Sequence, residues 1–125
     1  MKRILVADDS AAMQALAAAA LAGAADFHLE RAASGLEALR LLRTTEIDLV
    51  LTDVHMPELS GLELANFIKA DPHLRRIPVI IVSTEADDAD RARARAIGAD
   101  EYLAKPFTPQ ALRNAIDKYI SLSER

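Results

Sequence analysis

The sequence predicts an α/β fold in a single domain over residues 1–125, a five-stranded parallel sheet with five helices on both faces. Three observations predict it. Short apolar runs alternate with helix-prone segments along the whole chain, and strands separated by helices of this length imply βαβ units. The three central runs are apolar throughout, as strands covered on both sides must be. Right-handed crossovers then distribute the helices over both faces. The chain's 125 residues are enough for one core.

The elements follow in order. "RILVA" (3–7) is a short apolar run bounded by charge, a buried strand. The alanines of "SAAMQALAAAALAGAA" (10–25) favour a helix, with Ser10 as its N-cap and Gly23 as a stop. "FHLERA" (27–32) is more polar and suits an edge strand. "GLEALRLLRTTE" (35–46) places Leu39 and Leu42 at helical spacing. "DLVLT" (48–52) is another buried strand. "GLELANFIKA" (61–70) is a helix that ends before Asp71-Pro72. "PVIIVS" (78–83) is rich in β-branched residues. "DDADRARARAIG" (87–98) runs from acids to arginines, the order the helix dipole favours. "EYLA" (101–104) is a short last strand. "TPQALRNAIDKYISL" (108–122) has Thr108 to cap it and Pro109 at its first turn.

Composition excludes several classes. Half of the residues are apolar and about a quarter charged, as in an ordinary globular protein. No apolar run approaches the roughly 20 residues of a membrane span. The opening "MKRILVADDS" meets two acids too soon to be a signal peptide. There is no cysteine, hence no disulfide framework and no thiolate metal site. The net charge of −4 argues against nucleic acid as a partner. A cytoplasmic monomer without membrane insertion is the expectation.

In an open parallel sheet, ligands bind beyond the carboxyl ends of the strands. Asp8 and Asp9 follow the first strand, Asp53 ends the third, Ser83 and Thr84 end the fourth, and Lys105-Pro106 follow the fifth. Singly, each has an ordinary reading: a helix-start acid, a solvated loop residue, a satisfied strand end, a surface charge. Together they place three acids, two hydroxyls and a lysine on one rim. Two carboxylates ~4 Å apart at an effective dielectric of about 20 repel by about 4 kcal/mol. Three such groups call for a cation that one lysine cannot replace. Oxygen donors without a His or Cys cluster point to Mg²⁺. A hydroxyl and a lysine suit a phosphoryl group, and a carboxylate can be its acceptor. Asp53, alone at its strand tip, is the candidate.

The motifs "LVADDS", "LVLTDVHMPELSG", "PVIIVSTEA" and "GADEYLAKPFTPQAL", in this order and spacing, resemble the receiver domain of two-component response regulators. The likeness covers essentially the whole chain and leans towards the single-domain, CheY-like chemotaxis type. It implies a flavodoxin-like strand order, 2-1-3-4-5. It implies that a histidine kinase phosphorylates Asp53 with Mg²⁺ as cofactor. Asp9, Asp53 and the backbone carbonyl of His55 would bind the metal directly, and Asp8 mostly through water. Ser83 is the implied switch hydroxyl, assisted by the backbone amide of Thr84. Lys105 would contact a phosphoryl oxygen, with a cis Lys105–Pro106 bond. Tyr102 is the implied switch aromatic. His55 and Glu85 would tune the lifetime of the phosphorylated state. Gln14 departs from the pattern, standing where many chemotaxis members carry a basic residue.

The resemblance uses up the chain, so neither an output domain nor an enzyme is expected, only a phosphoacceptor that assists its own phosphorylation and dephosphorylation. Output falls to a protein target on the face of the fourth helix, fifth strand and fifth helix. There Arg91, Arg93 and Arg95 form either a solvated face with a pair such as Asp87–Arg91 or a basic patch for an acidic target. Phosphorelay intermediate, phosphate sink and phosphate-independent interaction module remain alternatives. A flavodoxin-like cofactor binder would want a glycine- and hydroxyl-rich loop where Asp8-Asp9 stand. An aspartate phosphatase would want a second acid where His55 stands.

Overall fold

The computed structural model describes residues 1–25, 27–83, 88–120 and 123–124. The elements are β1 (Lys2–Ala7), α1 (Ala11–Ala20), β2 (Ala24–Ala25), β3 (Phe27–Ala32), α2 (Gly35–Thr44), β4 (Leu49–Asp53) and α3 (Gly61–Ala70). After them come β5 (Val79–Ser83), α4 (Asp88–Ile97), β6 (Glu101–Ala104), α5 (Pro109–Asp117) and β7 (Ser123–Glu124). The main sheet runs β3-β1-β4-β5-β6, parallel at every pairing. Counted among its own five strands, that order is 2-1-3-4-5. The direction of winding reverses between β1 and β4, which opens a crevice at their carboxyl ends.

Alternation along the strands builds two apolar layers. Leu5, Val50, Val79 and Ile81 pack with Ala38, Leu42, Leu64 and Ile68 of α2 and α3 and with Ala94 of α4. Ile4, Val6, Leu49, Leu51, Ile80 and Val82 face the other way, onto Met13 and Ala17 of α1 and Leu112 and Ile116 of α5. Both layers are buried from water, and hydrophobic burial on this scale is the main favourable term in folding. Arg113 of α5 joins the two helices of the second layer. Its Nη1 donates to the carbonyls of Ala22 (3.1 Å) and Ala20 (3.5 Å), oxygens that the end of a helix leaves without intrahelical partners.

The helix starts follow their caps. Ser10, Ser34, Ser60 and Thr108 each accept a hydrogen bond from a backbone amide three residues on. Glu63 completes a capping box on α3. The ends differ from the sequence expectation. With Gly23 as its expected stop, α1 ends a little earlier, at Ala20, and Gly23 sits in the turn beyond it at a φ of 85°. The chain then turns so that Ala24–Ala25 pair antiparallel with Ser123–Glu124. This two-stranded ribbon has no signature in sequence, because its pairing depends on backbone proximity. The α5 helix ends at Asp117, short of Leu122, and α2 ends at Thr44.

Candidate functional site

The strand tips bring Asp8, Asp53 and Lys105 together. Lys105 Nζ lies 3.5 Å from Asp8 Oδ2 and 3.9 Å from Asp53 Oδ1. β1 and β4 are neighbours, so the two acids come from adjacent tips. Lys105 reaches them from the loop after β6, and its backbone amide donates to the carbonyl of Ser83 (2.6 Å). That bond ties the lysine to the tip of β5, where Ser83 is fully buried. The Lys105–Pro106 peptide is cis.

Asp8 is only 2% exposed. Its Oδ1 accepts from the Ser10 amide (2.7 Å), a local turn of the kind Asp favours. Its Oδ2 accepts no hydrogen bond from any described residue, although the lysine's charge is near. A buried carboxylate oxygen left this way costs free energy unless a cation or donor joins it. Burial raises the Asp53 carboxyl above its ordinary range. Lys105 opposes that rise, the Asp8 charge reinforces it, and the Val54 amide and His55 oppose it more weakly. Both acids are thus held at a cost, and both face one lysine.

Of the three acids expected on the rim, Asp8 and Asp53 meet around Lys105, and Asp9 lies on the turn that follows β1. Among the described residues, no group of three or more His, Cys, Asp or Glu side chains is arranged to hold a metal ion. Asp9 is exposed while Asp8 is buried. The donor chemistry still fits Mg²⁺, because the orphaned Asp8 oxygen and Asp53 are hard oxygen ligands without competing His or Cys. His55 is exposed beside Asp53. Thr84 and Glu85, and with them the pairing of Asp87 to Arg91, fall outside the described residues.

The loop after β4 is held by backbone contacts. Gly61 donates its amide to the Val54 carbonyl (2.8 Å). A Cβ on Gly61 would overlap the carbonyl of Asp53. Only glycine lets α3 begin this close to the candidate acceptor. The sequence showed Gly61 as a turn residue, but a clash with one particular carbonyl is visible only in three dimensions. Further from the rim, Tyr102 on β6 is half-buried beneath Arg91, whose guanidinium lies 4.7 Å from the ring centroid. Arg91 is therefore not simply a solvated charge. Arg93 pairs with Asp90 at 3.2 Å.

A doubly wound parallel sheet with an acid–lysine cluster at its switch point defines a class of α/β proteins that bind ligands beyond the carboxyl ends of their strands. Within that class, the chain belongs to the response regulator receiver domain family, whose description it matches over residues 4–117. It is 40% identical over 97 residues to the polar-differentiation response regulator DivK of Brucella ovis, covering 78% of this chain and 79% of that one. It is 33% identical to chemotaxis protein CheY-3 of Vibrio cholerae, covering 93% and 89%. The receiver domain of a Pseudomonas aeruginosa sensor histidine kinase superposes with a TM-score of 0.83 at 28% identity, covering 95% and 97%. That structure holds a magnesium ion in its active-site cleft.

Proposed function

We propose that Asp53 accepts a phosphoryl group from a histidine kinase in the presence of Mg²⁺, and that the chain then signals by binding a separate protein. The observation that carries this reading is Lys105 lying between Asp8 and Asp53 at the switch point of the sheet. In the transfer, an Asp53 carboxylate oxygen forms the new bond to phosphorus. The phosphorus–nitrogen bond to the donor imidazole breaks, and its electron pair stays with the imidazole. Lys105 Nζ offsets charge on the phosphoryl oxygens as a compact cation. Ser83 donates its hydroxyl hydrogen to one of them, and the Thr84 amide assists. Asp8, Asp9, Asp53 and the His55 carbonyl would hold Mg²⁺, which supplies charge neutralisation between the acids and the incoming phosphate. His55 and Glu85 would set how long the product lasts.

Output would pass through Ser83 and Tyr102. Two packings of this pair make a two-state element that phosphorylation biases. The surface above them, formed by α4, β6 and α5, would meet the partner. A polar-differentiation regulator and a chemotaxis protein are both among the relatives. A pull-down with the phosphorylated chain identifies which kind of target it takes.

Incubation with Mg²⁺ and acetyl phosphate tests the chemistry. One base-labile acyl phosphate is expected, lost in Asp53→Asn. Normal labelling of that variant at another residue would falsify the assignment.

A further inference from the structure

Gln14 sits one turn into α1, and its side chain returns to the end of β1. Its Nε2 donates to the carbonyls of Val6 (3.2 Å) and Asp8 (3.3 Å). These two carbonyls bracket Ala7, the last strand residue before the acids. The amide orientation is fixed by chemistry. The flipped form would set Oε1 against two carbonyl oxygens, and oxygen lone pairs cannot hydrogen-bond one another. In the observed orientation Oε1 is buried and accepts from no described residue. A buried acceptor without a donor costs about 1–3 kcal/mol. The fold carries that cost while keeping the donor end on the β1–α1 turn. Local violations of this kind concentrate at functional sites.

The turn has few other restraints. The Asp8 amide donates to the Ala32 carbonyl (2.9 Å), and the Ser10 amide donates to Asp8's own carboxylate (2.7 Å). Gln14 alone among the described side chains grips the Asp8 carbonyl, the atom from which the chain continues to Asp9. A cavity of about 430 Å³ opens beside it, lined among others by Asp8, Asp9, Gln14, Arg31 and Glu37. Rotation of the Asp8–Asp9 peptide would swing the exposed Asp9 carboxylate away from the rim.

We infer that Gln14 is a positioning residue, whose amide fixes the Asp8–Asp9 turn and so sets the affinity of the rim for a divalent cation. The inference rests on the proposed metal-dependent chemistry and adds a residue which that chemistry does not name. Residues that orient ligands typically change metal affinity by about 10–100-fold when replaced.

The test uses the full chain with Mn²⁺ as probe, free Mn²⁺ being counted by electron paramagnetic resonance. Gln14→Leu, which removes both ends of the amide, is expected to weaken binding about tenfold. Its acetyl phosphate labelling rate should return to within about twofold of wild type at saturating Mn²⁺, a split that a general loss of structure would not give. Gln14→Glu sharpens the test, because its added charge alone would tighten cation binding while the lost donor should weaken it. In metal-free protein, the backbone amide resonances of Asp9 and Ser10 should move in Gln14→Leu and stay near wild type in Gln14→Lys, which keeps a donor. Unchanged binding in Gln14→Leu together with tighter binding in Gln14→Glu would overturn the inference alone. Absence of Mn²⁺ binding by the wild type would overturn both the inference and the metal reading beneath it.

Discussion

The two ends of the sheet each hold a lysine beside an aspartate, and the pairs could hardly be treated more differently. At the amino ends of the strands, Lys69 Nζ pairs with Asp100 at 2.9 Å and donates to the carbonyls of Ile77 (2.8 Å) and Arg75 (3.2 Å). The same Asp100 oxygen accepts from the Val79 amide (2.8 Å). Three donor directions of the ammonium are used, and the carboxylate is fixed to the backbone. At the carboxyl ends, Lys105 stands 3.5 and 3.9 Å from two acids, and one buried oxygen of Asp8 takes no hydrogen bond from the described residues. The first pair is saturated and can only hold α3, the loop before β5 and the loop before β6 together. The second has unused capacity, which is what a site needs if it is to bind and release something. Residue type separates neither case; the degree of satisfaction does.

Exchanging each lysine for methionine is the most direct way to break this contrast. Lys105→Met is expected to slow labelling about 100-fold, the usual scale for losing a charge-stabilising donor. Lys69→Met should label at the wild-type rate but lose about 2 kcal/mol of stability in urea, because Asp100 is left without its cation. Lys105→Met should lose less stability than Lys69→Met. Equal stability losses, or slow labelling in both, would erase the distinction.

Gly61→Ala probes the saturated backbone beside the unsaturated site. The added methyl meets the Asp53 carbonyl, so α3 or the strand tip has to move. Stability should drop by about 1–3 kcal/mol, as for other overpacking changes, and labelling should slow with it. Chemical denaturation and a labelling time course check the two effects together.

A smaller effect concerns pH. Burial, with the Asp8 charge adding to it, raises the Asp53 pKa in the folded chain. Ionised Asp53 therefore weighs against folding once pH exceeds the ordinary carboxylate range. The penalty fades as pH falls through that range and the folded state takes up its proton. In metal-free buffer, Asp53→Asn should melt a few degrees above wild type at pH 7, and the two should converge near the unfolded carboxylate pKa of about 4. Thermal melts across that window read the difference directly.

The smallest effect lies far from the rim. Tyr119 donates towards the Asp100 carbonyl (2.7 Å) and Glu101 Oε1 (2.8 Å). Burial, followed by its bond and charge interaction with Glu101, pushes its hydroxyl up to about 12. The stability this contributes is present below the unfolded pKa of about 10 and is lost as pH rises towards the folded value. Wild type should lose stability more steeply than Tyr119→Phe across that interval, as measured by urea titration.

The sheet was legible because its three central strands are continuous apolar runs whose burial needs no knowledge of neighbours. Asp53 and Lys105 could be read as well, since the carboxyl end of a parallel strand is a place set by topology. For Asp8 and Asp9 the motif offered both acids alike, and only the coordinates show that one is buried and the other exposed. The Lys69–Asp100 clamp also escaped notice, because the end of α3 and the loop before β6, far apart in sequence, make it and neither carries a pattern. Gln14 was visible as a departure from the family, but its grip on two carbonyls required coordinates. The ribbon after α1 illustrates the same limit, because nothing in Ala24–Ala25 announces their pairing with β7.

Asp8, Asp53 and Lys105 lie near the start, the middle and towards the end of the chain, and they meet only because β1 and β4 sit side by side while the loop after β6 folds back over them. During synthesis the acids leave the ribosome long before the lysine does. A nascent chain therefore displays the candidate acceptor without the lysine that faces it in the folded protein. Under the proposed chemistry, competence to be labelled would arrive only when the edge strand docks, and unfinished or unravelled copies would offer a donor kinase no complete site.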